Sequence, residues 1–401
     1  MNAKPTVIPN GSVISPAGFS AGAVAAGIKK AAGALDLALI SSDRLCAAAA
    51  VFTRNRFKAA PIIVSQKHLA AGHVQAVIVN AGCANAGTGE IGYENAEDMT
   101  ELAADKLELD PIGVLVASTG VIGVQLPIEK VRFGLTSLKL DTNAGHNFAR
   151  AIMTTDTTPK EIAVTSSEYG FTIGGCAKGA GMIHPDMATL LAFITTDADI
   201  NASDLQKALK RAADKSFNVI SVDGDTSTND SIFLLANGAS RRTITPRSAA
   251  LKAFTEALEY VCIYLAKSVA RDGEGATKLI ELMVSGAATP SDARKAARTI
   301  LSSPLVKTAV HGADPNWGRI VAAAGRSGTE FDLAKVNLKI GDVQVLKAGT
   351  PLVVDKKLAS AQFQGKDVFI YLDLGLGKAS VTGWGCDMSA EYIHINADYT
   401  T

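Results

Sequence analysis

The chain has 401 residues, which predicts two or three domains or one large α/β unit. Its 39 Lys and Arg balance its 39 Asp and Glu, so no basic excess speaks for nucleic acid or an anionic membrane surface as a partner. Apolar residues reach 47% while aromatics are only 5% and glycines number 36, a composition that favours closely approaching layers of sheet and helix.

In chain order, Ala47–Thr53 and Pro61–Ser65 read as short strands, and Ala76–Asn80 as a buried one. Glu94–Glu108 has helical periodicity with acids in its first turn, where the helix dipole favours them. Val114–Ser118 is a further buried strand, and Leu190–Thr195 an apolar run behind a glycine-rich stretch. Ala202–Lys215, Ser248–Ala270 and Ser291–Ser302 read as helices; Asp204 and Lys207 share a face of the first. From Val336 to Leu358 the pattern turns to short strands with turns at Gly341–Asp342 and Gly349–Thr350. Val368–Leu372, Ala379–Thr382 and Ala390–Ile395 continue it. The composition changes near Gly286–Ser291, which divides the expected domains into 1–286 and a smaller α+β unit at 287–401.

Cys46, Cys83, Cys176, Cys262 and Cys386 are odd in number and widely spaced, which argues against a disulfide framework or structural zinc and for a reducing, cytoplasmic setting. The N-terminus has no apolar signal core, and no apolar run reaches about 18 residues, so neither export nor a membrane span is expected. No His, Asp and Glu cluster has metal-ligand spacing; Asp223, Asp225 and Asp230 fit a calcium loop poorly. Gly87–Gly92 matches a dinucleotide fingerprint, but AGCANA separates it from the preceding strand and spoils the tight turn.

The densest chemistry lies in Gly174–Asp197, GGCAKGAGMIHPDMATLLAFITTD. Glycines permit strained backbone, and the small Ala188 directly precedes Thr189. Attack of the Thr189 hydroxyl on the Ala188 carbonyl would give an ester whose hydrolysis frees Thr189 as a new N-terminus. Its α-amine, with an ordinary pKa near about 8, then serves as base for its own hydroxyl. Read from residue types alone, the same stretch also suits a glycine-rich loop with a buried Thr.

KGAGMIHPDMATLLAFITTDA resembles the self-cleavage signature of the ornithine acetyltransferase family, the glutamate N-acetyltransferases. The resemblance spans nearly the whole chain: VFTRNRFKAAP at 51–61, NAGCANAGTG at 80–89, ASTGVIG at 117–123, MTTDTTPK at 153–160, SVDGDTSTND at 221–230, RDGEGATK at 271–278, DPNWGRI at 314–320 and GWGCDMS at 383–389. It implies a layered αββα sandwich with a smaller α+β C-terminal part, and cleavage between Ala188 and Thr189 into fragments 1–188 and 189–401. By the same resemblance Thr189 is the nucleophile and Thr119 with Gly120 the oxyanion-hole pair. Thr155 (or its neighbour Thr154), Lys178, Glu274, Asn396 and Thr401 are the substrate contacts. The implied substrates are N-acetylornithine and glutamate, with acetyl-CoA as a further donor, no cofactor, and a hetero-oligomer of two or more copies of each fragment.

An amidohydrolase or aminopeptidase of similar architecture, passing the acyl group to water, is the rival reading; Lys178, Glu274 and the C-terminal tail distinguish the two. A non-enzymatic binding protein fits poorly with Thr189, Thr119 and Gly120 all present. His184, a lone histidine near Thr189, reads as structural, since a self-activating Thr needs no separate base. Departures from the family pattern are Asp186 for a common Asn, Ala180 for a Ser and Leu190 for a Met.

Overall fold

A computed structural model describes residues 5–184 and 190–398. Two sheets lie face to face. One has six strands in the order Thr6–Val7, Lys160–Ser166, Phe171–Lys178, Leu191–Thr196, Ser231–Ala236 and Ala47–Phe52. The other has four: Phe19–Val24, Leu37–Ser42, Ala76–Cys83 and Val114–Val121. Successive strand residues feed opposite layers, as the two-residue strand period demands. In the six-stranded sheet Leu191 and Phe193 face the inter-sheet core, whereas Ala192 and Ile194 face the helices Ala202–Lys215 and Ala249–Arg271. In the four-stranded sheet Val77 and Val79 face that same inter-sheet core, and Ala76 and Ile78 face the helix Gly89–Leu107. Strands covered on both faces explain the continuous apolar runs. The result is the expected αββα sandwich.

A third sheet of seven strands is ordered Ile220–Ser221, Ala379–Cys386, Leu279–Ala287, Asp367–Asp373, Asn337–Ile340, Val343–Lys347 and Thr350–Pro351. Its core packs against Pro290–Leu301 and Trp317–Gly325. The strands Ile220–Ser221 and Leu279–Ala287 come before or at the start of the composition change at Gly286–Ser291 and the other five after it, so this sheet draws in residues from both sides of it. Trp384 donates its ring N–H to Glu281 Oε2 at 2.9 Å, which satisfies a packed indole.

The helices with strong caps fall where their sequence signals lie. Asn201, Ser248 and Thr289 accept from the Asp204, Leu251 and Asp292 amides at the starts of Ala202–Lys215, Ala249–Arg271 and Pro290–Leu301. Three segments differ from the sequence reading. Pro61–Ser65 lies inside a helix, Ala60–Ala71, with Pro61 in its first turn and Gly72 just beyond its end. Its buried face includes the polar Ser65 and His68, while the apolar Ile63 is exposed, so no helical stripe of apolar residues marks it. Ala390–Ile395 belongs to the helix Ala390–Asp398, none of whose residues is buried; its alternating apolar side chains imitated a strand. The short strands after Val336 give way to a helix at Lys356–Ala361, capped by Asp355 accepting from the Lys357 amide. All five cysteines are buried and free. Among the described residues no helix is long and apolar enough to cross a membrane.

Candidate active site

The strands Phe171–Lys178 and Leu191–Thr196 are antiparallel partners that start their pairing at Lys178 and Leu191. The connection between them carries the glycine-rich motif. Its first part is tied down by Asp223, which accepts from the Met182 amide at 2.5 Å and the Ile183 amide at 2.9 Å. His184 bonds the Ser221 hydroxyl through Nδ1 at 3.0 Å, and its carbonyl accepts from Thr226 at 2.8 Å. It serves as an anchor for this loop, and it is not among the residues lining the cavity described below. Ala188 and Thr189, the expected cleavage pair, lie outside the described residues, as do Asp186 and Thr401.

A cavity opens where the ends of the two facing sheets meet. It is lined by Thr119, Gly120, Thr154, Thr155, Lys178, Glu274 and Asn396, together with Leu190, Asn229 and Asp230. Every expected site residue that is described therefore reaches one space, although they come from five separate segments. Both Thr154 and Thr155 line it, so either can offer a hydroxyl.

Thr119 and Gly120 sit near the end of Val114–Val121. Gly120 has φ +129°, and a Cβ there would lie 2.6 Å from the Cys83 nitrogen, so no larger residue fits. Asn229 braces this strand end by donating from Nδ2 to Ser118 O at 2.8 Å and Ala84 O at 2.6 Å. Lys178 is buried and donates from Nζ to Thr119 Oγ1 at 3.1 Å. With one lone pair engaged by an ammonium, the Thr119 hydroxyl keeps its own hydrogen for another acceptor. The Glu274 carboxylate lies against Gly181, where a Cβ would stand 2.5 Å from its carboxyl carbon. Asn396 donates from Nδ2 to Glu274 Oε2 at 2.8 Å. The C-terminal helix thus completes the cavity wall.

Charge is concentrated here. Burial lowers the Lys178 pKa and Lys160 adds to this, while Asp156, Asp230 and Glu274 oppose it. Asp156 is held at about 2: burial raises it, but Lys160 and Lys178 outweigh burial. Burial pushes Asp230 well above the ordinary carboxylate value against the pull of Ser227 and Lys178, and its Oδ2 has no hydrogen-bond partner among the described residues. Among the described residues no group of three or more metal-ligating side chains converges.

Reading the sequence alone misses Asp156, Lys160, Asp230 and Asn229 as site residues. They stand inside MTTDTTPK and SVDGDTSTND, the blocks that carried the resemblance, and that is the signal that marks them.

Comparison with known proteins agrees with this geometry. The model of the ArgJ family matches residues 20–401. The arginine biosynthesis bifunctional protein ArgJ of Dehalococcoides mccartyi is 54% identical over 405 residues, covering 100% of both chains. The protein of the same name from Symbiobacterium thermophilum is 50% identical, covering 98% of this chain and 99% of its own. Among solved structures, the crystal structure of arginine biosynthesis bifunctional protein ArgJ from Bacillus halodurans is similar at 43% identity and a TM-score of 0.50; it covers 51% of this chain and 97% of its own.

Proposed function

The chain belongs to the ArgJ family, and from that premise we propose how its cavity performs acetyl transfer. The protein is an acyltransferase of arginine biosynthesis that moves the acetyl group of N-acetylornithine to glutamate, giving ornithine and N-acetylglutamate.

In our reading the precursor cuts itself between Ala188 and Thr189, and the freed Thr189 is the nucleophile. The observation that carries this is the single cavity shared by Thr119, Gly120, Lys178, Glu274, Asn396 and Leu190, the residue that follows Thr189 in sequence. That the whole Bacillus halodurans chain corresponds to about half of this one also favours a split precursor.

The Thr189 oxygen attacks the carbonyl carbon of the N-acetyl group while its α-amine takes the hydroxyl proton. The oxyanion that forms is stabilised by the Thr119 hydroxyl and the Gly120 amide. Lys178, by bonding the Thr119 oxygen, turns that hydroxyl's hydrogen toward the oxyanion. Collapse breaks the C–N bond, and the proton held by the α-amine goes to the departing ornithine amine. The glutamate amine then attacks the acetyl-Thr189 ester, its proton returning to the Thr189 oxygen as N-acetylglutamate leaves.

Lys178 with Thr155 or Thr154 suits the α-carboxylate common to both amino acids. Glu274, fixed by Asn396, suits the side-chain ammonium of ornithine; Thr401 adds a further contact. This chemistry requires no cofactor. Acetyl-CoA is a second acetyl donor to glutamate, a reading supported by the word bifunctional in the relatives' names. The two fragments stay together as a hetero-oligomer with two or more copies of each, and the enzyme works in the cytoplasm.

Intact-mass analysis of the purified protein tests the central step. Fragments 1–188 and 189–401 are expected, and a single uncut chain in both the wild type and Thr189→Ala would overturn it. In an assay with N-acetylornithine and glutamate, transfer is expected; release of acetate alone would make the enzyme a hydrolase.

A further inference from the structure

Beneath the cavity wall lies a buried chain of charges that the acetyl-transfer chemistry above does not use. Asp156 Oδ1 accepts from Lys160 Nζ at 2.6 Å and from the Gly179 amide at 2.6 Å, and its Oδ2 accepts from the Thr154 amide at 2.9 Å. Lys160 Nζ also donates to Asp272 Oδ2 at 2.6 Å and to Thr158 O at 3.3 Å, so its three hydrogens are all engaged. Asp272 in turn accepts from the Thr157 amide at 3.0 Å and from the Thr157 hydroxyl. The side chains of Asp156 and Lys160 are essentially closed to solvent.

These bonds join three stretches that each carry a substrate contact. Asp156 grips Thr154 in one and Gly179, next to Lys178, in another. Asp272 closes the helix Ala249–Arg271 and stands two residues before Glu274. Lys160 links the two carboxylates. Two of the segments are held through backbone amides, Thr154 and Gly179, and the third through the Lys160–Asp272 ion pair, so directed polar bonds fix a register that non-directional apolar packing would leave looser.

We propose that Asp156 is a positioning residue for substrate binding: through the Thr154 and Gly179 amides, and through Lys160 to Asp272, it sets Lys178 and the Thr154–Thr155 hydroxyls for the substrate carboxylate. This rests on the acyl-transfer reading of the same cavity. Asp156 is not among the residues that line the cavity and acts through those it holds. Its charge reaches Lys178, which also faces Asp230 and Glu274 as acids and Lys160 and Lys29 as cations. Removing the Asp156 charge takes away an opposite charge from Lys178; removing the Lys160 charge takes away a like one. The two changes therefore move the Lys178 titration in opposite directions.

The test uses full-length protein carrying Asp156→Asn or Lys160→Met, with melting and self-cleavage recorded beside kinetics. The wild type is assayed first: if it neither cuts nor transfers acetyl, the acyl-transfer reading itself fails and not this inference. With an active wild type, Asp156→Asn is expected to raise KM for N-acetylornithine about tenfold while kcat falls less than about threefold. The alkaline limb of its kcat/KM profile moves about one unit to lower pH, and that of Lys160→Met moves to higher pH. A purely structural triad would lower the amount of active protein in both variants and shift neither limb. Folded Asp156→Asn with wild-type KM and an unmoved limb overturns the proposal. Should that variant not fold, an unmoved limb in Lys160→Met does so.

Discussion

Lys178 donates its ammonium hydrogen to the Thr119 hydroxyl oxygen across 3.1 Å, and so bridges the two sheets at the mouth of the cavity. The contact gives the hydroxyl a direction. Thr119→Ala removes the donor and is expected to lower kcat by about a hundred- to a thousandfold, the usual effect of losing one oxyanion donor. Thr119→Ser keeps the hydroxyl and should stay within about tenfold of wild type. Steady-state kinetics on N-acetylornithine decide the point; equal activity of Thr119→Ala and Thr119→Ser would remove Thr119 from the oxyanion site.

Gly120, the next residue, is constrained by backbone rather than by charge. An alanine there must hold φ near +129° with its Cβ 2.6 Å from the Cys83 nitrogen and 2.7 Å from the Gly82 Cα, all backbone atoms that cannot turn aside. Gly120→Ala is expected to cost about 2–4 kcal/mol of stability, combining strain with overpacking. Thermal unfolding measures it. An unchanged Tm would mean that the two strand ends separate easily.

How much of this was legible in the sequence depends on where the information sits. Runs such as Ala76–Asn80 and Val114–Ser118 read as buried strands because both their faces are covered, leaving no polar alternation to confuse the reading. Helices with side-chain caps were equally plain. Pro61–Ser65 and Ala390–Ile395 read as strands for different reasons. The buried face of the first carries the polar Ser65 and His68 while the apolar Ile63 is exposed, and no residue of the second is fully buried, so neither shows a clean apolar stripe. At the site, residue types and block order brought out Lys178, Glu274 and Asn396. Their meeting was not readable, because Lys178 and Thr119 stand 59 positions apart and Asn396 and Glu274 stand 122 apart. The Asp156–Lys160–Asp272 chain was missed because, in sequence, a lone Asp or Lys looks like ordinary surface charge.

Gly181 sets where the Glu274 carboxylate rests. Adding a Cβ 2.5 Å from its carboxyl carbon pushes the acid away, and the Asn396 bond at 2.8 Å resists the movement. Gly181→Ala is expected to raise KM for N-acetylornithine about five- to twentyfold with a smaller change in kcat. Glu274→Gln should do the same, and the double variant should be little worse than either single one, since both act on one contact. Additive losses in that cycle would show that Gly181 works by another route.

Asp230 should reveal itself through stability against pH. Its carboxyl lines the cavity with Oδ2 unpartnered among the described residues, and burial pushes its pKa well above the ordinary value. A folded-state pKa raised above the unfolded one means that the unfolded chain gives up this proton more readily. Stability from this group is therefore full below the unfolded value of about 3.9 and is lost as pH rises toward the folded value. Above that it stays lost. Asp230→Asn keeps the shape without the buried charge, so it is expected to melt higher than wild type near neutral pH, by about 1–2 kcal/mol. The advantage should vanish below about pH 3.9, where both side chains are neutral. The same variant should be slower in acetyl transfer, because the acid that costs stability faces the substrate and contributes to the field that keeps Lys178 charged. A variant that gains no stability at neutral pH would mean that the Asp230 carboxylate is compensated there after all.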